Sequence, residues 1–116
     1  MRVEFGSSRT RCRQRVLRYF RQKLDRGMKP SDFEISGTPS DWVIQTFRVD
    51  GMTRFLQSGG IPGDMFTMKP AIYSFVAFAK IPAGATVTIA VQFVGDAPAA
   101  PFVCALAGRA EAESTR

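Results

Sequence analysis

The spacing of apolar residues in this chain changes once, near Pro30. From Thr10 to Arg26, the residues Cys12, Val16, Leu17, Phe20 and Leu24 recur every three or four positions, the spacing of a single apolar stripe on a helix. Ser8 or Thr10 can cap its start, and Gly27 followed by Pro30 can stop it. After Pro30 the runs become short and rich in β-branched and aromatic residues: Phe33 to Ile35, Trp42 to Val49, Thr53 to Leu56, Tyr73 to Ala79, Thr86 to Val94 and Phe102 to Ala107. Clusters of Gly, Pro, Asp and Ser separate them, so the pattern predicts strands joined by turns. Thr86 to Val94 alternates most cleanly, with Val87, Ile89, Val91 and Phe93 on one face and Thr86, Thr88, Ala90 and Gln92 on the other. Asp50-Gly51 predicts a type I′ hairpin turn, because Gly readily adopts the positive φ that turn needs. Ile81 to Gly84 predicts a second turn, and Ser58 to Asp64 and Gly95 to Pro101 predict loops. The expected fold is mainly β, a small antiparallel sandwich or jelly roll with an N-terminal basic α-helix. Residues 1–30 read as a basic helical arm, 31–110 as the β body and 111–116 as a flexible tail.

Charge divides the chain at the same place. Ten of the sixteen basic side chains lie in residues 1–30 beside only Glu4 and Asp25, a net of +8. The remaining residues carry six basic and eight acidic groups, so the overall +6 belongs to the arm. A helix bearing Arg11, Arg15, Arg18, Arg21 and Arg26 repels itself and needs an anionic or docking partner. Three partners fit such a segment. One is nucleic acid, through phosphate neutralisation and stacking on Tyr19 and Phe20. The second is a membrane surface. The third is another protein subunit that covers Val16, Leu17, Phe20 and Leu24 while acidic groups meet the arginines.

Catalytic chemistry is poorly supplied. The chain has no His, which removes the usual proton shuttle and the commonest metal ligand. Asp32, Glu34, Asp41, Asp50, Asp64 and Asp96 mostly sit beside Gly, Pro or Ser, where acidic residues typically cap turns. Ser58 to Asp64 lacks the Lys-Ser/Thr ending of a phosphate-binding loop, and no local signature supports a Ser-Lys pair with Lys69 or Lys80. Cys12 and Cys104 have no CxxC and no neighbouring ligand cluster, which argues against a zinc site; a disulfide between them stays open, though one small residue on each of two apolar faces fits buried free thiols better. No metal, cofactor or enzymatic activity is expected. The apolar run Ala71 to Ala79 falls far short of the ~20 residues of a membrane span. The opening Met-Arg-Val-Glu-Phe-Gly lacks the apolar core of a secretory signal, so the expected product is soluble and made in a cytoplasm.

Three segments carry a family likeness: Phe47 to Phe66, which includes Asp50-Gly51 and Ser58-Gly59-Gly60-Ile61-Pro62-Gly63; Ile81 to Val91; and Pro101 to Gly108. Together they resemble the small jelly-roll decoration, or cement, proteins of tailed bacteriophage heads. The resemblance covers about residues 42–109 and rests on turn chemistry and alternation. It implies a non-enzymatic virion protein, made in the host cytoplasm and bound to the major capsid protein, often as a trimer. It also implies that loop residues such as Gly59, Gly60, Ile61 and Pro62 meet the lattice. The basic arm departs from that pattern and leaves open a contact with a neighbouring capsid subunit or with packaged nucleic acid.

Overall fold

The computed structural model describes residues 1–111 of the chain. Eight strands form two antiparallel sheets: β1 (Arg2–Arg13), β2 (Leu17–Lys23), β3 (Met28–Ile35), β4 (Trp42–Val49), β5 (Met52–Thr53), β6 (Ile61–Pro62), β7 (Thr86–Phe93) and β8 (Ala99–Ala110). One sheet has the order β1-β8-β3; the other runs β2-β7-β4-β5, with β6 also paired to β4. The chain is thus wound as a folded ribbon, its first strand against its last and its second against its next to last. On the outer side of β3, Met28 exchanges backbone hydrogen bonds with Ile81 at 2.8 and 2.9 Å, so the segment before β7 extends that sheet.

The expected N-terminal α-helix is not formed. The described residues contain no α-helix, only 3-10 turns at Pro39–Asp41, Gly63–Thr67 and Ala71–Ser74. Residues 2–13 and 17–23 form β1 and β2, one in each sheet. The same sequence holds a competing period of two, Arg11-Cys12-Arg13 and Tyr19-Phe20-Arg21, in which Cys12 and Phe20 turn inward and their neighbours turn out. A helix would place Arg11, Arg15 and Arg18 on adjacent turns, whereas pairing with β8 and β7 spreads these charges and satisfies the backbone. Arg15 occupies the turn between the strands at φ 64°, and its N–H donates to the Phe93 carbonyl at 2.8 Å.

Elsewhere the strands fall close to expectation. β4 spans Trp42–Val49, β7 buries Val87, Ile89, Val91 and Phe93, and Asp50 and Gly51 take φ of 52° and 83° between paired Val49 and Met52. Thr53 to Leu56 and Tyr73 to Ala79 differ. Only Met52–Thr53 forms a strand, but the two segments still meet in an antiparallel bridge at Phe55 and Val76, where Leu56 N–H donates to the Phe75 carbonyl at 2.8 Å and Ala77 N–H to the Arg54 carbonyl at 2.7 Å. Ile72 lies in the 3-10 turn Ala71–Ser74 and Val76 just beyond it, in the bridge with Phe55, and both are 1% exposed. The tail reading for residues 111–116 falls outside the described residues after Glu111.

One core lies between the sheets. Phe102 of β8 is wholly buried, with its ring 4.7 Å from Trp42 of β4 and 5.3 Å from Phe20 of β2. Phe33 of β3 lies 4.8 Å from Phe66 and 6.2 Å from Phe47. These cross-sheet aromatic contacts fix how the two faces meet.

Candidate functional site: a cationic flank and the loop beside it

β1 and β2 are the free edges of their sheets and lie on the same flank of the molecule. Arg18 Nη1 donates to the Arg11 carbonyl across the gap at 3.1 Å, and the Arg18 guanidinium sits 5.8 Å from the Phe20 ring centroid. Arg11 reaches the Ala99 carbonyl at 3.3 Å, and Arg26 reaches the Glu111 carbonyl at 3.0 Å. Arg9 rides a bulge where β1 slips register between Ser7 and Arg11. The expected basic contacts Arg11, Arg15, Arg18, Arg21 and Arg26 are all exposed on this flank, as are Arg13 and Lys23. Among the described residues none of them forms an ion pair; the ion pairs found there use Arg2, Lys69 and Lys80.

The four apolar residues of the predicted stripe do not share a face. Leu24 is 2% exposed within the chain's own core, and Phe20 packs on Phe102. Val16 and Leu17 remain outward, at 50% and 43% exposure. A partner can therefore touch the second pair, while the first pair already holds the sheets together.

The two outer faces differ in carboxylates: the β1-β8-β3 face carries three among basic residues that include Arg2 and the paired Lys29 and Arg109, whereas the strands of the other face carry none. On β1-β8-β3, the rows Glu4-Ala105-Glu34 and Arg2-Ala107-Asp32 place three carboxylates on one surface. Arg2 binds Glu34 and Glu4, and the Glu34 contact raises the Arg2 guanidinium above its usual value. On β2-β7-β4, the row Arg21-Thr88-Arg48 crosses three strands, with Lys23 beside Thr86 and Tyr19 beside Ala90. Those three strands contain no Asp or Glu. Arg48 belongs to the body and joins the basic segment only through the shared sheet. Its polar place between the apolar Phe47 and Val49, in a run that also holds Gln45 and Thr46, was the local signal for it.

The Gly-rich loop packs beside this face. Gly60 lies against β4, where a Cβ would come within 2.6 Å of Gln45 Oε1 and Val43 Cγ1, so any larger residue there has to displace both side chains. Ile61 is 6% exposed and pairs with Ile44 in β6, which makes it a core residue, while Gly59 and Pro62 are exposed. Loop residues 57–62 with Met65 and Phe75 line an apolar groove of about 230 Å³. On the other side of the loop, a groove of about 410 Å³ has Gln45, Thr46 and Arg48 as its floor and Thr53, Gln57 and Ser58 in its wall.

Cys12 and Cys104 are buried free thiols. Cys12 pairs with Ala100 and Cys104 with Phe5, so four residues of β8 separate their rows, roughly 13 Å at 3.3 Å per residue, beyond the ~7 Å limit of a disulfide. Burial pushes both thiols above their usual range, Cys104 more strongly. Comparison of the chain with protein-family models, curated proteins and solved structures finds no match.

Proposed function

We propose that this chain is a non-enzymatic structural protein of a phage virion, a decoration or cement protein that binds the major capsid protein and stabilises the shell. The observation that carries this reading is the winding of the strands. First against last, second against next to last, and fourth against fifth is the winding of a jelly roll, an architecture shared by viral capsid domains. Ile81 beside Met28 occupies the place of the remaining strand. Fold alone does not assign function, so the support comes from winding together with exposed surfaces fit for attachment. Gly59 and Pro62 border the apolar groove beside Met65 and Phe75, which accepts a side chain from a neighbouring subunit. Many equivalent sites on a lattice make a small contact per copy sufficient, and trimer formation would multiply it further.

Co-sedimentation of the purified chain with DNA-free shells of its source phage tests the reading. Saturable binding at a fixed number of copies per shell is expected. A chain that stays in the supernatant at every concentration overturns it. Pro62→Glu, at an exposed loop position, should weaken shell binding at least tenfold while leaving the melting temperature within a few degrees.

A further inference from the structure

We propose that the outer face of β2-β7-β4 is a binding track for single-stranded nucleic acid. This surface meets the groove assigned to the shell only at the loop residues Gln57, Ser58 and Gly59, and the inference does not rest on the capsid reading.

Charge is the first ground. Arg21, Lys23 and Arg48 stand on a three-strand face whose strands carry no carboxylate, and the exposed arginines of the β1-β2 flank continue it. Edge strands often carry a lysine or two to block pairing with other chains. Seven arginines between Arg9 and Arg26, with Lys23 among them, exceed that need. Arginine also presents a planar fork that matches phosphate oxygens in pairs, which a lysine cannot do.

Shape is the second ground. A three-strand face is broader than the two-stranded ribbon that a duplex major groove admits, whereas splayed bases can lie on it. Tyr19 is 55% exposed on this face, and its cross-strand neighbour is the small Ala90, so the ring is free to stack on a base. Arg21 and Arg48 flank Thr88 two strand spacings apart, about 10 Å, or the rise of roughly three stacked nucleotides at 3.4 Å each.

Hydrogen-bonding capacity is the third. Beyond Thr46 the face runs into the groove of about 410 Å³ floored by Gln45 and Thr46 and walled by Gln57 and Ser58. Side-chain amides both donate and accept, as base edges require. Gln45 already uses its Nε2 to reach Gln92 Oε1 at 3.1 Å and turns its own Oε1 toward Gly60, so Gln57 and Ser58 in the wall are the groups offered to a base edge. A strand of nucleic acid that stacks on Tyr19 can therefore pass its phosphates over Arg21 and Arg48 and seat a base in this groove.

Anisotropy of a fluorescein-labelled dT20 oligonucleotide, measured from 50 to 300 mM NaCl, tests the track. A 20-bp duplex, polyglutamate and vesicles containing phosphatidylserine serve as comparators. The intact chain should bind dT20 more tightly than any of the three, with log K falling by about 2 per log unit of salt if three phosphates are neutralised. Tyr19→Ala should weaken binding about tenfold without changing that slope, Tyr19→Phe should restore it, and Arg48→Gln should reduce the slope by about 0.7. All three positions are exposed, and an unchanged melting curve confirms that each variant folds. Tighter binding to polyglutamate, vesicles or duplex, or equal dT20 affinity for Tyr19→Ala and the parent chain, overturns the proposal. Shell co-sedimentation should be unaffected by these substitutions, so the two readings fail separately.

Discussion

Arg18 Nη1 lies 3.1 Å from the Arg11 carbonyl oxygen, and this bond ties the free edge of β2 to the free edge of β1. A basic residue here does structural work for the sandwich in addition to displaying charge. Arg18→Ala removes the bond and the guanidinium near Phe20 and should cost about 1 kcal/mol, since both contacts are solvent-exposed. Urea denaturation should show a lower midpoint with an unchanged slope, because the folded state keeps its buried surface.

Phe102 joins three strands through contacts to Trp42 and Phe20 and is wholly buried. Phe102→Ala should cost about 3–5 kcal/mol, a large share of the ~5–15 kcal/mol that holds a domain folded. Phe102→Leu keeps most of the volume and should cost less than half as much. Thermal melts of the two variants, followed by circular dichroism, separate these outcomes.

The Asp50-Gly51 turn sets the register of β4 and β5. Gly51→Ala forces a Cβ onto a residue at φ 83° and should destabilise by about 1 kcal/mol, seen as a fall of roughly 4 °C in melting temperature. Asp50 also accepts the Thr86 N–H through Oδ1 at 2.9 Å, which links the turn to the start of β7. Asp50→Gly suits the backbone but loses that bond, so it too should melt below the parent.

Alkaline pH should weaken the fold through Cys104. Its thiol is pushed up by burial, so above the ordinary thiol pKa of about 9.0 the unfolded chain releases a proton that the folded chain retains. The unfolded state then binds fewer protons, and stability falls as pH rises, by up to about 1.4 kcal/mol per pH unit for this one group. Cys12 moves the same way. Cys104→Ala should flatten the decline between pH 8.5 and 10.5. A thiol reagent should react with both cysteines only as fast as the chain opens, since both side chains are about 1% exposed.

How much was legible in the sequence can be followed residue by residue. Thr86 to Phe93 and Trp42 to Val49 announced themselves because alternation in a half-buried strand is written locally, and Asp50-Gly51 because a turn needs a particular φ. Free thiols fitted the cysteines best, but a disulfide between them stayed open until the register of β1 and β8 set their rows apart. The segment from Thr10 to Arg26 carried two periods at once, three to four through Cys12, Val16, Phe20 and Leu24, and two through Arg11, Cys12 and Arg13. Local spacing could not choose between them. The choice was made by the open edges of β8 and β7, which lie at the opposite end of the chain and offered a pairing that spreads charges a helix would crowd onto adjacent turns.

The candidate site divides in the same way. Composition alone placed a dense cluster of arginines near the N-terminus and left the chain without histidine. Only the tertiary structure packed Leu24 and Phe20 against the core, brought Arg48 into the row of Arg21, and set Tyr19 beside Ala90 on strands without carboxylates. Side-chain alternation and turn chemistry depend on neighbours in the chain, so the amino-acid order determines them directly. Which strands become neighbours depends on long loops closing and on faces burying together, and that is decided by the whole fold.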